Sequence, residues 1–185
     1  MITRRLFAAT LATAIAMPSL AFAQAATPSG AQIERQLQAA PRTKLRPNER
    51  VTIREFKRRP DLRRRAPSID IQSINFAFGS SAIAPSQYEK VDNIADGLRR
   101  ILRRNPRARI LIEGHTDAVG SASSNLALSE DRAASLKRTL VRQFGVPARA
   151  LDTVGYGEEF LLVPTQNENW RNRRVTLRRF DDFIR

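Results

Sequence analysis

Two stretches of the chain carry apolar residues at helical spacing, and each is joined to runs of strand character. In the first, Val91, Ile94, Ala95, Leu98, Ile101 and Leu102 fall on one helical stripe. Pro85 suits its first turn, Asn105-Pro106 ends it, and Arg99, Arg100, Arg103 and Arg104 sit where positive charge complements the helix dipole. In the second, Ala133, Leu136, Leu140 and Phe144 form the buried stripe of a helix expected from Ser129 to Phe144. Ser129 is its expected N-cap, and Gly145 with Pro147 marks its stop. Ahead of the first helix, Ile69, Ile71, Ile74, Phe76 and Phe78 alternate with one slip near Ser73, the pattern of a half-buried strand. Arg109-Ile110-Leu111-Ile112-Glu113 is too apolar to have a wet face, which predicts a central strand. Leu151 to Val154 and Val175-Thr176-Leu177 supply two more. Two strand–helix units followed by two strands predict an α+β sandwich of helices on one sheet.

The sequence upstream of Ile69 has a different composition. Arg4 and Arg5 precede an apolar run, Leu6 to Met17, and Ala21-Phe22-Ala23 gives a small-x-small cleavage pattern. Residues 1–23 therefore read as a signal peptide, cut before Gln24, and Thr3-Arg4-Arg5-Leu6-Phe7 also fits a twin-arginine signal. The expected product is an exported, soluble protein. Residues 24–68 hold recurrent prolines, and residues 42–65 contain 11 Lys/Arg against Glu49, Glu55 and Asp61. Charge this dense repels itself and proline limits helix growth, so an extended, mostly disordered basic tether is expected. It is either a solvated linker or a contact for an anionic partner. Residues 69–185 are then the folded domain.

Composition narrows the chemistry. The chain of 185 residues has a formal net charge of +14, no cysteine and one histidine. Disulfides, thiol catalysis and zinc ribbons are excluded, and no metal site or cofactor is expected. His115 is expected as a hydrogen-bonding group in a turn. No serine has a histidine in a triad pattern, and Gly155-x-Gly157 is too short for a phosphate loop. Trp170 beside Arg171, Arg173 and Arg174 reads as a core-edge cap rather than a base-stacking platform. The suggestive pair is Asp117, in the loop after the central strand, and Arg132, at the expected helix start. Together they can hold a zwitterion, ammonium on the aspartate and carboxylate on the arginine. Equally, they can form an ion pair that fixes the loop.

Four ordered blocks carry a resemblance: Gly114-His115-Thr116-Asp117-x-x-Gly120, Asn125-x-x-Leu128-Ser129-x-x-Arg132-Ala133, Gly155-Tyr156-Gly157-Glu158 and Asn172-Arg173-Arg174-Val175. They resemble the OmpA-like C-terminal domain. The resemblance implies a βαβαββ two-layer sandwich, with helices on one face of a mixed sheet, that binds peptidoglycan without covalent attachment. It implies that Asp117 holds the ammonium and Arg132 the carboxylate of the stem-peptide diaminopimelate. Thr116, Asn125 and Leu128 would line the pocket with Phe78 and Gly79, where many relatives have aspartate in place of Gly79. The chain shows neither a preceding barrel nor a lipid-bearing cysteine.

The expected protein is a non-enzymatic peptidoglycan binder of the periplasm, peripheral to the cell wall and the outer membrane, that helps organise the envelope. Residues 42–65 would contact an anionic envelope polymer or a protein, and no nucleic acid is expected as partner. The alternative is a polyanion-binding protein, for lipopolysaccharide or nucleic acid, acting through the basic tether.

Overall fold

The computed structural model describes residues 27–43, 45–72, 74, 76 and 80–185. The signal segment 1–23 and the site candidates Phe78 and Gly79 lie outside them. In chain order the elements are α1 (Gly30–Leu37), α2 (Ile53–Arg58), α3 (Pro60–Arg65), β1 (Ser68–Ile71), α4 (Tyr88–Arg104), β2 (Ile110–His115), α5 (Ala122–Arg142), β3 (Leu151–Gly155) and β4 (Arg174–Arg179). The sheet order is β1-β4-β2-β3. β2 is parallel to β3 and antiparallel to β4, which is in turn antiparallel to β1, so the sheet is mixed.

β2 is buried at every position, as its apolar composition requires of a central strand. Side chains alternate across it. Ile110 and Ile112 enter the main core with Val91, Ile94, Leu98 and Ile101 of α4 and Ala133, Leu136 and Leu140 of α5. Leu111 points to the opposite face, into a second core with Phe56, Leu62, Phe180 and Phe183. Both helical stripes are thus oriented as their spacing predicts.

Three expectations are corrected. Among the described residues the alternating run from Ile69 pairs only as far as Ile71, and Ile74 is buried but lies outside the strand. The second helix begins at Ala122, two turns before Ser129. Its N-cap is Ser121, whose hydroxyl accepts a hydrogen bond from the Ser124 N–H at 3.2 Å. The largest correction concerns the expected tether, residues 24–68: its described residues, 27–43 and 45–68, are folded rather than disordered. Ser29 and Gln32 form a capping box for α1, and Ile33 and Leu37 are fully buried, packed with α4 in the main core. Gly97 permits this crossing, since a Cβ there would overlap Ile33 and the Gly30 carbonyl. Thr52 and Glu55 cap α2, and Pro60 starts α3 in the one helical position that tolerates it. Phe56 stacks on Phe180 with ring centroids 5.2 Å apart. The charge is dispersed through the ion pairs Arg59–Asp61, Arg65–Glu49 and Arg63–Glu113. Residues 51–66 therefore cover the face of the sheet away from α4 and α5.

Candidate functional site

The carboxyl end of β2 delivers His115, Thr116 and Asp117 to one rim of the sheet. The β2–β3 pairing continues there past its last strand pair. Tyr156 donates its N–H to the Gly114 carbonyl at 3.0 Å, and Thr116 donates to the Gly157 carbonyl at 2.9 Å. The Gly157 N–H donates to Ser129 Oγ at 2.9 Å, and that hydroxyl donates to the Leu126 carbonyl at 2.7 Å. Ser129 is thus a buried rivet between α5 and the glycine turn. A Cβ on Gly114 would overlap the Ser129 carbonyl, so glycine is what lets α5 lie this close. The helix start then reaches back over the loop. The buried Asn125 donates to the Val119 carbonyl at 3.2 Å and to Glu158 Oε2 at 2.6 Å.

Asp117 is buried, but its partner is not Arg132. Its Oδ2 accepts from Arg173 Nη1 at 2.8 Å, and its Oδ1 from the Val119 N–H at 3.4 Å. The same Arg173 nitrogen donates to Glu168 Oε1 at 2.6 Å, a carboxylate largely in solvent. Asn172 presents Arg173 by pairing both halves of its buried amide with Val163, at 2.9 Å each. Arg132 sits in the third turn of α5, away from the helix start. Its guanidinium lies 5.0 Å from the centre of the Phe76 ring, and its Nε donates to the Ser80 carbonyl at 3.4 Å. No carboxylate lies within 4 Å of it among the described residues. Burial pushes its pKa down, the like charge of Arg173 adds to this, and Asp117 opposes it. Arginine nonetheless stays charged at neutral pH.

Thr116 Oγ1 is buried and has no hydrogen-bond partner among the described residues. Leu128 is half-buried. The structure therefore gathers Thr116, Asp117, Asn125 and Arg132 at one rim and adds Arg173, which the sequence reading missed. Its signal was its place in the Asn172-Arg173-Arg174 block. Trp170, expected to cap the core, is half exposed instead.

His115 also departs from expectation. It is buried, stacks on Tyr156 at 5.8 Å, and neither ring nitrogen has a hydrogen-bond partner among the described residues. Its Nε2 lies 3.9 Å from Glu113 Oε2. Burial pushes its pKa down, against the pull of Glu113. A depressed folded pKa means stability is complete above the unfolded value, about 6.5, and is lost as pH falls below it. The melting temperature is accordingly expected to decline from about pH 6.5 downward, and His115→Phe should flatten that decline above about pH 5. An unchanged profile in the variant would remove the histidine as its source.

Two guanidinium groups and one carboxylate thus meet at a single rim, beside one buried hydroxyl that has no hydrogen-bond partner among the described residues. Among the described residues no group of acidic or histidine side chains is placed to hold a metal ion. The chain belongs to the OmpA family, whose model matches residues 75–174. It is 35% identical over 111 residues to the peptidoglycan-associated lipoprotein of Pseudomonas aeruginosa, covering 59% of this chain and 62% of that one. It is 34% identical over 104 residues to outer membrane porin F of the same organism, covering 55% and 29%. The chain thus spans less than two thirds of the length of these relatives. Among solved structures, the periplasmic domain of Helicobacter pylori MotB (residues 78–256) shares the fold, with a TM-score of 0.50, 22% identity, and coverage of 60% of this chain and 74% of that one.

Proposed function

We propose that the protein binds peptidoglycan without covalent attachment by taking the amino-acid head group of a diaminopimelate stem peptide. The observation that carries this reading is the half-buried Arg132, without a carboxylate partner among the described residues, at the rim that also holds Asp117. The ligand carboxylate binds Arg132. The ammonium takes Asp117 as Arg173 withdraws onto Glu168, to which it is already bonded. Thr116 Oγ1 supplies the remaining hydrogen bond. The family relationship supports the polymer, and the name of the lipoprotein relative agrees with it. The protein acts by holding rather than by reacting, in the periplasm beside the wall and the outer membrane.

The test is a pull-down on purified sacculi, using protein recovered from the periplasmic fraction, whose intact mass also reports cleavage before Gln24. Free diaminopimelate should release the protein. Pimelate, which lacks the ammonium groups, and 1,5-diaminopentane, which lacks the carboxylates, should not. Retention on sacculi in excess diaminopimelate would refute the head-group reading. Equal release by pimelate would reduce the site to a carboxylate pocket.

A further inference from the structure

The end of the sheet opposite Asp117 carries a hollow of about 300 Å³ between the end of α4 and the turn ahead of β3. Leu102, Pro106 and Pro147 form its apolar floor, and Arg99, Arg103 and Arg149 form its rim. Arg103 and Arg149 are exposed and have no carboxylate within 4 Å among the described residues. Arg99 is held in place by Asp92 at 3.1 Å and the Phe144 carbonyl at 3.2 Å. Arg107, exposed beside Pro106, adds a further cation to the same end. Pro106 precedes β2 and Asp117 follows it, so the two ends lie roughly 20 Å or more apart along the strand direction.

An apolar floor flanked by three guanidinium groups, two of which (Arg103 and Arg149) have no carboxylate within 4 Å among the described residues, is complementary to an anionic amphiphile. Phosphate oxygens meet the rim as charge-assisted pairs, and methylenes meet the floor. A nucleic acid would want an aromatic platform, and no aromatic side chain lines the hollow. We propose that this hollow docks the protein on phosphate-bearing lipid headgroups, with the Asp117 rim facing away from the lipid surface. The lipid site stands independently of the peptidoglycan reading; only the bridging of two surfaces rests on it.

Co-sedimentation with phosphatidylcholine vesicles, with and without phosphatidylglycerol, tests the proposal. The purified protein should sediment only with the anionic vesicles, and less as salt is raised. Each basic residue near such a surface contributes roughly fivefold, so Arg103→Glu/Arg149→Glu should lose at least about thirtyfold. Both side chains are exposed, and an unchanged melting curve would confirm the fold. Arg42→Glu/Arg64→Glu, exposed elsewhere with the same change of charge, should keep most of the binding. Sacculus binding by Arg103→Glu/Arg149→Glu should match the unmodified protein. Equal loss in the two double variants would show net charge rather than a site and overturn the proposal. Release from vesicles by a single-stranded oligonucleotide at matched phosphate concentration would overturn the choice of lipid. Sacculus binding lost along with vesicle binding would overturn the two-ended arrangement.

Discussion

Arg132→Ala is expected to lower affinity for sacculi by roughly tenfold to a hundredfold, because a charge-assisted contact in a partly dry site contributes about 1.5–3 kcal/mol. Its melting temperature should barely move. The side chain holds one long bond to the Ser80 carbonyl and a ring contact with Phe76, and neither belongs to the buried stripes. Asp117→Ala should cost a similar factor in binding with a different stability signature. It removes the partner of Arg173 and the acceptor of the Val119 N–H, so the loop after β2 loosens. Arg173 itself keeps Glu168, which limits the damage. The double variant should lose less than the sum of the single losses, since both contacts serve one bound pose. Unchanged sacculus binding by folded Arg132→Ala would leave that arginine a packing group and remove the carboxylate half of the site.

The contrast between these two residues also marks where the sequence was readable. Helical stripes and the central strand obey a short period, and each predicted core position on α4 and α5 is buried or partly buried in the main core. Ser129 was misread because serine-rich stretches favour caps and loops, and the choice of Ser121 over Ser129 as N-cap depends on packing against the glycine turn. The Asp117–Arg173 pair spans 56 residues and depends on the clamp made by Asn172, so no local spacing encodes it. The helices α1, α2 and α3 were obscured for another reason. Their charge density is local and visible, while the partners that fold them are remote: Phe180 and Phe183 for Phe56, Glu113 for Arg63, and α4 for Ile33. Burial that is completed by distant chain leaves only a weak pattern in the segment itself.

That remote closure predicts the largest effect on stability. Glu113 is fully buried on β2, where Arg63 reaches it at 3.0 and 3.2 Å and Arg178 at 2.7 and 3.1 Å. Burial alone would raise its pKa. The guanidinium groups of Arg178 and Arg63, bonded to both oxygens, override this and hold the carboxyl well below its usual range. The contribution is therefore complete at neutral pH and is lost as pH falls below the unfolded value, about 4.3. Arg63 also lies over the rings of Tyr156 and Phe160, at 3.8 and 4.3 Å, while the Tyr156 hydroxyl donates to the Lys57 carbonyl at 2.7 Å. Breaking one side of a buried pair costs about 3–5 kcal/mol, because the remaining charge has no water to turn to. Glu113→Gln, which strands two guanidinium groups, should lower the melting temperature by roughly 6–20 °C in a chain of this size. Arg63→Ala should do the same and detach the α2–α3 layer first. Trypsin would then cut at Arg54, Arg58 and Arg64 well before it reaches α4 or α5. Arg59→Ala, which breaks an ion pair half in solvent, should leave the melting temperature and the cleavage pattern nearly unchanged. If Arg63→Ala resisted trypsin as well as Arg59→Ala does, the buried pair would not be what holds residues 51–66 to the sheet, and the aromatic contacts of Phe56 with Phe180 and Phe183 would carry that layer instead.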